Sequence, residues 1–163
     1  MKKSISSIIS MVIGVVVGAV IGVILKTKQA DKAIEQKIEK VDKFKSYYYL
    51  LNQWMTYKQN GVSLEHYFID NNYKTIAIYG MGELGNRLYE ELRGSSIEIK
   101  YAIDKETAST SSELKVYPLD SNIEHVDVIV VTAIFAFEEI KNAIQEKVDY
   151  NMVSLEDVIY EIN

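Results

Sequence analysis

The stretch 75-TIAIYGMGELGNRLYEEL-92 constrains this chain more than any other. Ile76, Ala77, Ile78 and Tyr79 form a short, continuously apolar run, as in a strand buried on both faces of a parallel sheet. Gly80, Gly82 and Gly85 come next as G-x-G-x-x-G. The first glycine allows a tight turn, the second lets a phosphate approach the backbone, and the third lets the helix pack closely on the strand. Leu84, Leu88 and Leu92 then mark one apolar stripe on that helix. Its first amides would face an anion.

The residues beyond Leu92 agree with this opening. Ile97, Ile99, Tyr101 and Ile103 alternate along a second strand that ends in Asp104, nineteen residues after Gly85. In the dinucleotide fingerprint an acid at that distance holds a ribose. Residues 115–119, 127–133 and 152–154 read as further strands. Phe137, Ile140, Ile144 and Val148 mark a helix, and Ser154 with Asp157 caps a last one. Strands alternating with helices predict an α/β domain over 73–163, a five-stranded parallel Rossmann-like sheet.

In such a sheet a ligand lies at the carboxyl ends of the strands. The predicted cofactor-binding residues are therefore Gly80, Gly82, Glu83, Leu84, Gly85, Asp104 and Thr132. Glu83 can act in two ways: its carboxylate can fold onto the helix N-terminus and compete with a phosphate, or point away. The nearest cation is Arg87, one turn along the helix. No nucleophile–base pair is legible. The letters Tyr-x-x-x-Lys in 101-YAIDK-105 straddle a strand end and read as chance. With no second domain for a substrate, the residues point to no catalytic group. The polar loop 106–114 could fold over a ligand. The chain has no Cys, and His66 and His125 stand far apart, so no metal site is expected.

Residues 5–25 carry no charge. Twenty-one helical residues span roughly 31 Å, the thickness of a bilayer core. A retained transmembrane helix after a four-residue tail is therefore expected. A cleaved signal peptide is the rival reading, but the apolar run is longer than the usual ~7–15 residues. Lys2 and Lys3 precede the span, whereas Lys26, Lys28, Lys32, Lys37, Lys40, Lys43 and Lys45 come after it. This asymmetry predicts a single-pass membrane protein with a cytoplasmic C-terminal domain. Ser6, Ser10, Gly14, Gly18 and Gly22 make a small-residue stripe suited to helix self-association.

Residues 26–60 hold 8 Lys/Arg against 4 Asp/Glu, and 61–163 hold 8 against 19. The basic strip suits an anionic membrane surface, and the acidic remainder argues against nucleic acid. From Ala33 to Tyr57 there is no Gly or Pro, so 26–60 is expected to be a connecting helix. Ile34, Val41, Phe44, Tyr48, Leu51 and Met55 give it a heptad-like seam, broken by Lys37. The seam could continue a homodimer begun at the glycine stripe, or its aromatic half 47–55 could pack on the domain. Gly61 ends this helix, and Ser63 is the expected cap of a short helix within 61–72.

The run "YKTIAIYGMGELGNRLYEEL…IEIKYAIDK…DVIVVTAIFAFEEI…VSLEDVI", with 47–73 before it, resembles small bacterial Rossmann-like proteins described as nucleoside-diphosphate-sugar epimerase-like. It is also similar to the nucleotide-sugar-binding domain of sugar acetyltransferases, without their acyltransferase part. Over the first half of the sheet it resembles the NAD-binding domains of potassium-transport regulators, through Gly-x-Gly-Glu-x-Gly and Ile103-Asp104. The resemblance implies a nucleotide-sugar or NAD(H) as ligand and a polysaccharide-biosynthesis enzyme as partner. Four readings stay open: an accessory module binding a nucleotide or nucleotide-sugar, an NAD(H) sensor, a dimeric adaptor with an empty site, and an enzyme in its own right, the weakest of the four.

Overall fold

The computed structural model describes residues 2–104, 114–118, 124–145 and 150–162, with the backbone alone over 2–25. The chain divides into two compact units, residues 1–47 and 48–163. Helix α1, Lys2–Gln59, forms all of the described part of the first unit and the opening of the second. The side chains of the predicted span 5–25 and its small-residue stripe lie outside the described residues, as do the loop 106–113 and Val148. Among the described residues no helix is long and apolar enough to cross a membrane.

In the first unit, residues 26–45 are exposed throughout. Glu39 and Lys43 form the expected i,i+4 pair at 2.7 Å.

The second unit is an α/β domain with a five-stranded, all-parallel sheet. Its strands are β1 (Thr75–Tyr79), β2 (Glu98–Ile103), β3 (Val116–Tyr117), β4 (Val128–Val131) and β5 (Met152–Ser154), in spatial order β3-β2-β1-β4-β5. Each begins and ends within one residue of the run that predicted it, except that the third and fourth stop two residues early. Winding starts at β1 and proceeds toward β2 and β3, then returns to β4 and continues to β5. The direction therefore reverses between β1 and β4.

Helices α2 (Glu65–Asp70), α3 (Glu83–Leu92), α4 (Phe137–Gln145) and α5 (Leu155–Tyr160) complete the unit. Right-handed crossovers running in opposite directions place α3 and α4 on opposite faces of the sheet. On one face Ala77, Tyr79, Tyr101, Ile103, Ile129, Val131 and Met152 meet Ile144 of α4, with Phe137 and Ile140 packed alongside. By strand alternation Ile76, Ile78, Ala102, Val128 and Val130 point to the other face. The remaining helices supply the fully buried Leu50, Phe68, Leu88, Leu92, Leu155 and Ile159.

The aromatic half of α1 packs on the domain in its last turns. Leu50 and Trp54 are buried, whereas the seam residues Tyr48, Leu51 and Met55 remain exposed. Domain packing uses a different side of the helix from the heptad stripe. Ser63 supplies cap chemistry one position early: its hydroxyl accepts from the Glu65 amide at 3.2 Å, while Leu64 is the backbone cap. At α5 the expected capping box of Ser154 and Asp157 is present.

The amino-terminal edge of the sheet is pinned by Asp127. Its carboxylate accepts from the Lys74 and Thr75 amides, both at 2.8 Å, and from the Thr75 hydroxyl at 3.0 Å. The Thr75 and Lys74 amides hold its pKa below the ordinary carboxylate value. A carboxyl with a depressed folded-state pKa stabilises the fold above its unfolded pKa of about 3.9, and this contribution disappears as pH falls toward the folded value. Asp127→Ala is expected to cost roughly 1–3 kcal/mol at neutral pH. It should also flatten the loss of melting temperature as pH falls below the unfolded pKa of about 3.9. Thermal melts of both proteins from neutral pH into that acid range check this. Parallel curves would remove Asp127 from the account.

Candidate functional site

The site is built where β1 ends. Gly80 leaves the strand at φ +92°, and its amide donates to the Ile103 carbonyl at 2.8 Å. A Cβ on Gly80 would sit 2.9 Å from Thr132 Oγ1. A Cβ on Gly85 would lie 2.0 Å from the Gly80 carbonyl oxygen, so α3 approaches the turn more closely than any side chain permits. Gly82 differs from both. It has φ −71°, and a Cβ there would meet nothing within 4 Å. Packing demands the first and third glycines. The second faces open space.

Four side chains bear on this turn. Asp104, at the end of β2, accepts the Met81 amide through Oδ2 at 2.6 Å. It thereby braces the turn that it was expected to serve as a ribose ligand. Thr132, just after β4, is buried and donates its hydroxyl to the carbonyls of Gly80 (2.6 Å) and Tyr79 (3.1 Å). It ties β4 to the turn from inside, the capping role its position allows. Asn86 donates through Nδ2 to the carbonyls of Met81 (2.8 Å) and Gly82 (3.0 Å). The Leu84 side chain is buried, so only its backbone can face a ligand. Sequence reasoning does not find Asn86, because an asparagine inside a helix carries no motif. Its spacing of four from Gly82 is the available signal.

The Glu83 ambiguity also resolves. Its side chain is 89% exposed and pairs with Arg87 at 3.4 Å. Gly82, the cap residue of α3, makes no side-chain cap hydrogen bond. The positive end of the helix dipole therefore lies beside the open face of Gly82, with Arg87 one turn away. Tyr79, the last residue of β1, has its phenol pKa raised by burial and then by the nearby Asp104 and Glu139 carboxylates.

A cleft of about 860 Å³ opens at Gly82 and runs between α3 and the last turns of α1. Trp54, Leu51 and Met55 form its apolar wall, and Asn86, Arg87 and Glu90 its polar one. The Lys58–Glu91 ion pair lies along it. A second cleft, about 530 Å³, lies where β4 and β5 end. It is bordered by the 3₁₀ turn Ile134–Ala136, by Glu138 and Glu139 at the start of α4, and by Glu156. Of the predicted residues, Gly80, Gly82, Glu83, Leu84, Gly85, Asp104 and Thr132 are thus gathered at one turn. Only Gly82, Glu83 and the backbone around them face the open side. Among the described residues no cluster of His, Asp and Glu could hold a metal ion. His66 is exposed on α2, remote in sequence from the turn.

Comparison with protein-family models, with curated proteins and with solved structures gives no match to this chain. The reading of the site therefore rests on its geometry.

Proposed function

We propose that this chain is a membrane-anchored, cytoplasmic Rossmann-like module that binds a nucleotide or nucleotide-sugar and serves cell-surface polysaccharide biosynthesis as an accessory protein. The observation that carries the binding reading is the contrast among the three glycines. Gly80 and Gly85 are explained by the fold, but Gly82 is not, since a side chain there would meet nothing within 4 Å. An open glycine as the cap residue of a helix suits the close approach of a phosphate. The switch in winding between β1 and β4 puts this turn where ligands bind in open α/β sheets. The anchor reading is supported by the uncharged run 5–25 and the lysines after it. The pathway reading is supported by the resemblance alone.

The test is thermal unfolding of residues 48–163 with NAD(H), NADP(H) and a panel of UDP- and dTDP-sugars. A ligand at 100 times its dissociation constant should stabilise the domain by about 2.7 kcal/mol, several degrees in melting temperature. Gly82→Arg should abolish that shift while leaving the ligand-free melting temperature unchanged, because the position is open and its φ is ordinary. No shift with any ligand would reject the binding reading in favour of an adaptor with an empty site.

A further inference from the structure

Helix α1 leaves an apolar stripe uncovered in each unit. In the first, Ile34, Ile38, Val41 and Phe44 are all more than half exposed; in the second, so are Tyr48 and Met55, with Leu51 beside them at 39%. Ile34, Val41, Tyr48 and Met55 recur every seven residues, and Phe44 and Leu51 recur every seven between them. A strict seven-residue repeat keeps one face toward a second helix, because 3.5 residues per turn is the spacing of knobs-into-holes packing.

The charges around the stripe identify the kind of helix. Lys37 occupies the stripe itself, three residues after Ile34 and four before Val41. Lys40 and Lys45 border it on either side, in the positions that face the flanks of a partner helix. The acids of this segment, Glu35, Glu39 and Asp42, lie away from it. Glu39 pairs with Lys43, and Asp42 reaches Lys45 only at 3.9 Å. Among the described residues Lys37 and Lys40 have no ion-pair partner. In a parallel pair with a second copy, Lys37 would meet Lys37 and Lys40 would meet Lys45, so like charges would oppose that dimer.

We infer that the stripe of the first unit, Ile34 to Phe44, docks an amphipathic helix of another protein, one whose apolar seam is bordered by Asp and Glu. Leu51 and Met55, which line the cleft at the glycine turn, are not part of it. The probe is a synthetic heptad peptide with an Ile/Leu core and Glu at the flanking positions, titrated onto the full chain in neutral detergent. Binding should weaken about tenfold or more when Lys37→Glu and Lys40→Glu are combined. The double variant should in turn prefer the same peptide carrying Lys in place of Glu. Circular dichroism of the variant checks that the helix persists. Three results would overturn the inference. One is equal or absent binding of the two peptides by the native chain. Another is a dimer in sedimentation that Phe44→Glu dissolves, which would assign the stripe to a second copy. The third is flotation with phosphatidylglycerol vesicles, lost in Phe44→Glu and without peptide binding, which would assign it to lipid.

Discussion

Gly85→Ala should destabilise the domain by roughly 3 kcal/mol or more, lowering its melting temperature by about 10 °C or more. The added methyl would be placed 2.0 Å from the Gly80 carbonyl oxygen. That neighbour is backbone, and it cannot rotate aside. The Gly80 carbonyl also receives the Thr132 hydroxyl at 2.6 Å, so displacing it breaks the link between the turn and β4. Relief requires α3 to move off the sheet, uncovering the buried Leu84, Leu88 and Leu92. Gly82→Ala, three residues earlier, should change stability by no more than about 0.5 kcal/mol. Urea unfolding of residues 48–163 monitored by circular dichroism measures both. Equal costs at the two positions would mean that the glycine motif serves packing throughout. The case for an open phosphate site would then fail.

The second large effect belongs to the end of α1. Trp54→Ala is expected to cost about 3–5 kcal/mol, and Met55→Ala, one residue on, about 0.5 kcal/mol or less. Trp54 is buried in the second unit, while Met55 is more than half exposed. Removing the indole leaves a void in the core of the second unit and deletes part of the apolar wall of the large cleft. Trp54 is the sole tryptophan, so its fluorescence reports unfolding of the native domain directly. Melts of the two variants by circular dichroism decide the matter. A small loss for Trp54→Ala would mean that α1 contributes little to the domain. A minimal fragment could then begin at residue 61 rather than 48.

The strands and helices were legible because their signals are local. β1 and β4 are runs of apolar residues short enough for strands, and four-fifths or more of each is buried as such runs require. The stripe Leu84, Leu88, Leu92 sits on the buried side of α3 by its spacing alone. The glycines announced a turn through their order and through the strand and helix on either side. Other features were not readable, because each depends on two segments meeting. Nothing near Asp104 in sequence says that its carboxylate will take the amide of Met81. Thr132 and the carbonyl of Gly80 are likewise far apart along the chain and joined only by the pairing of β1 with β4.

Along α1 the two kinds of information separate within a few residues. Periodicity correctly placed Tyr48, Leu51 and Met55 on one face, but it could not say whether the domain would cover that face. The fold covers the side bearing Leu50 and Trp54 instead. By itself the sequence determined the α/β class, the order of the elements and the position of the turn, since hydrophobic period and glycine conformation act over a few residues. Tertiary structure alone decided which glycine is open, which acid and hydroxyl brace the turn, and which face of α1 is left uncovered. Those are set by contacts between elements distant in sequence, and no local pattern records them.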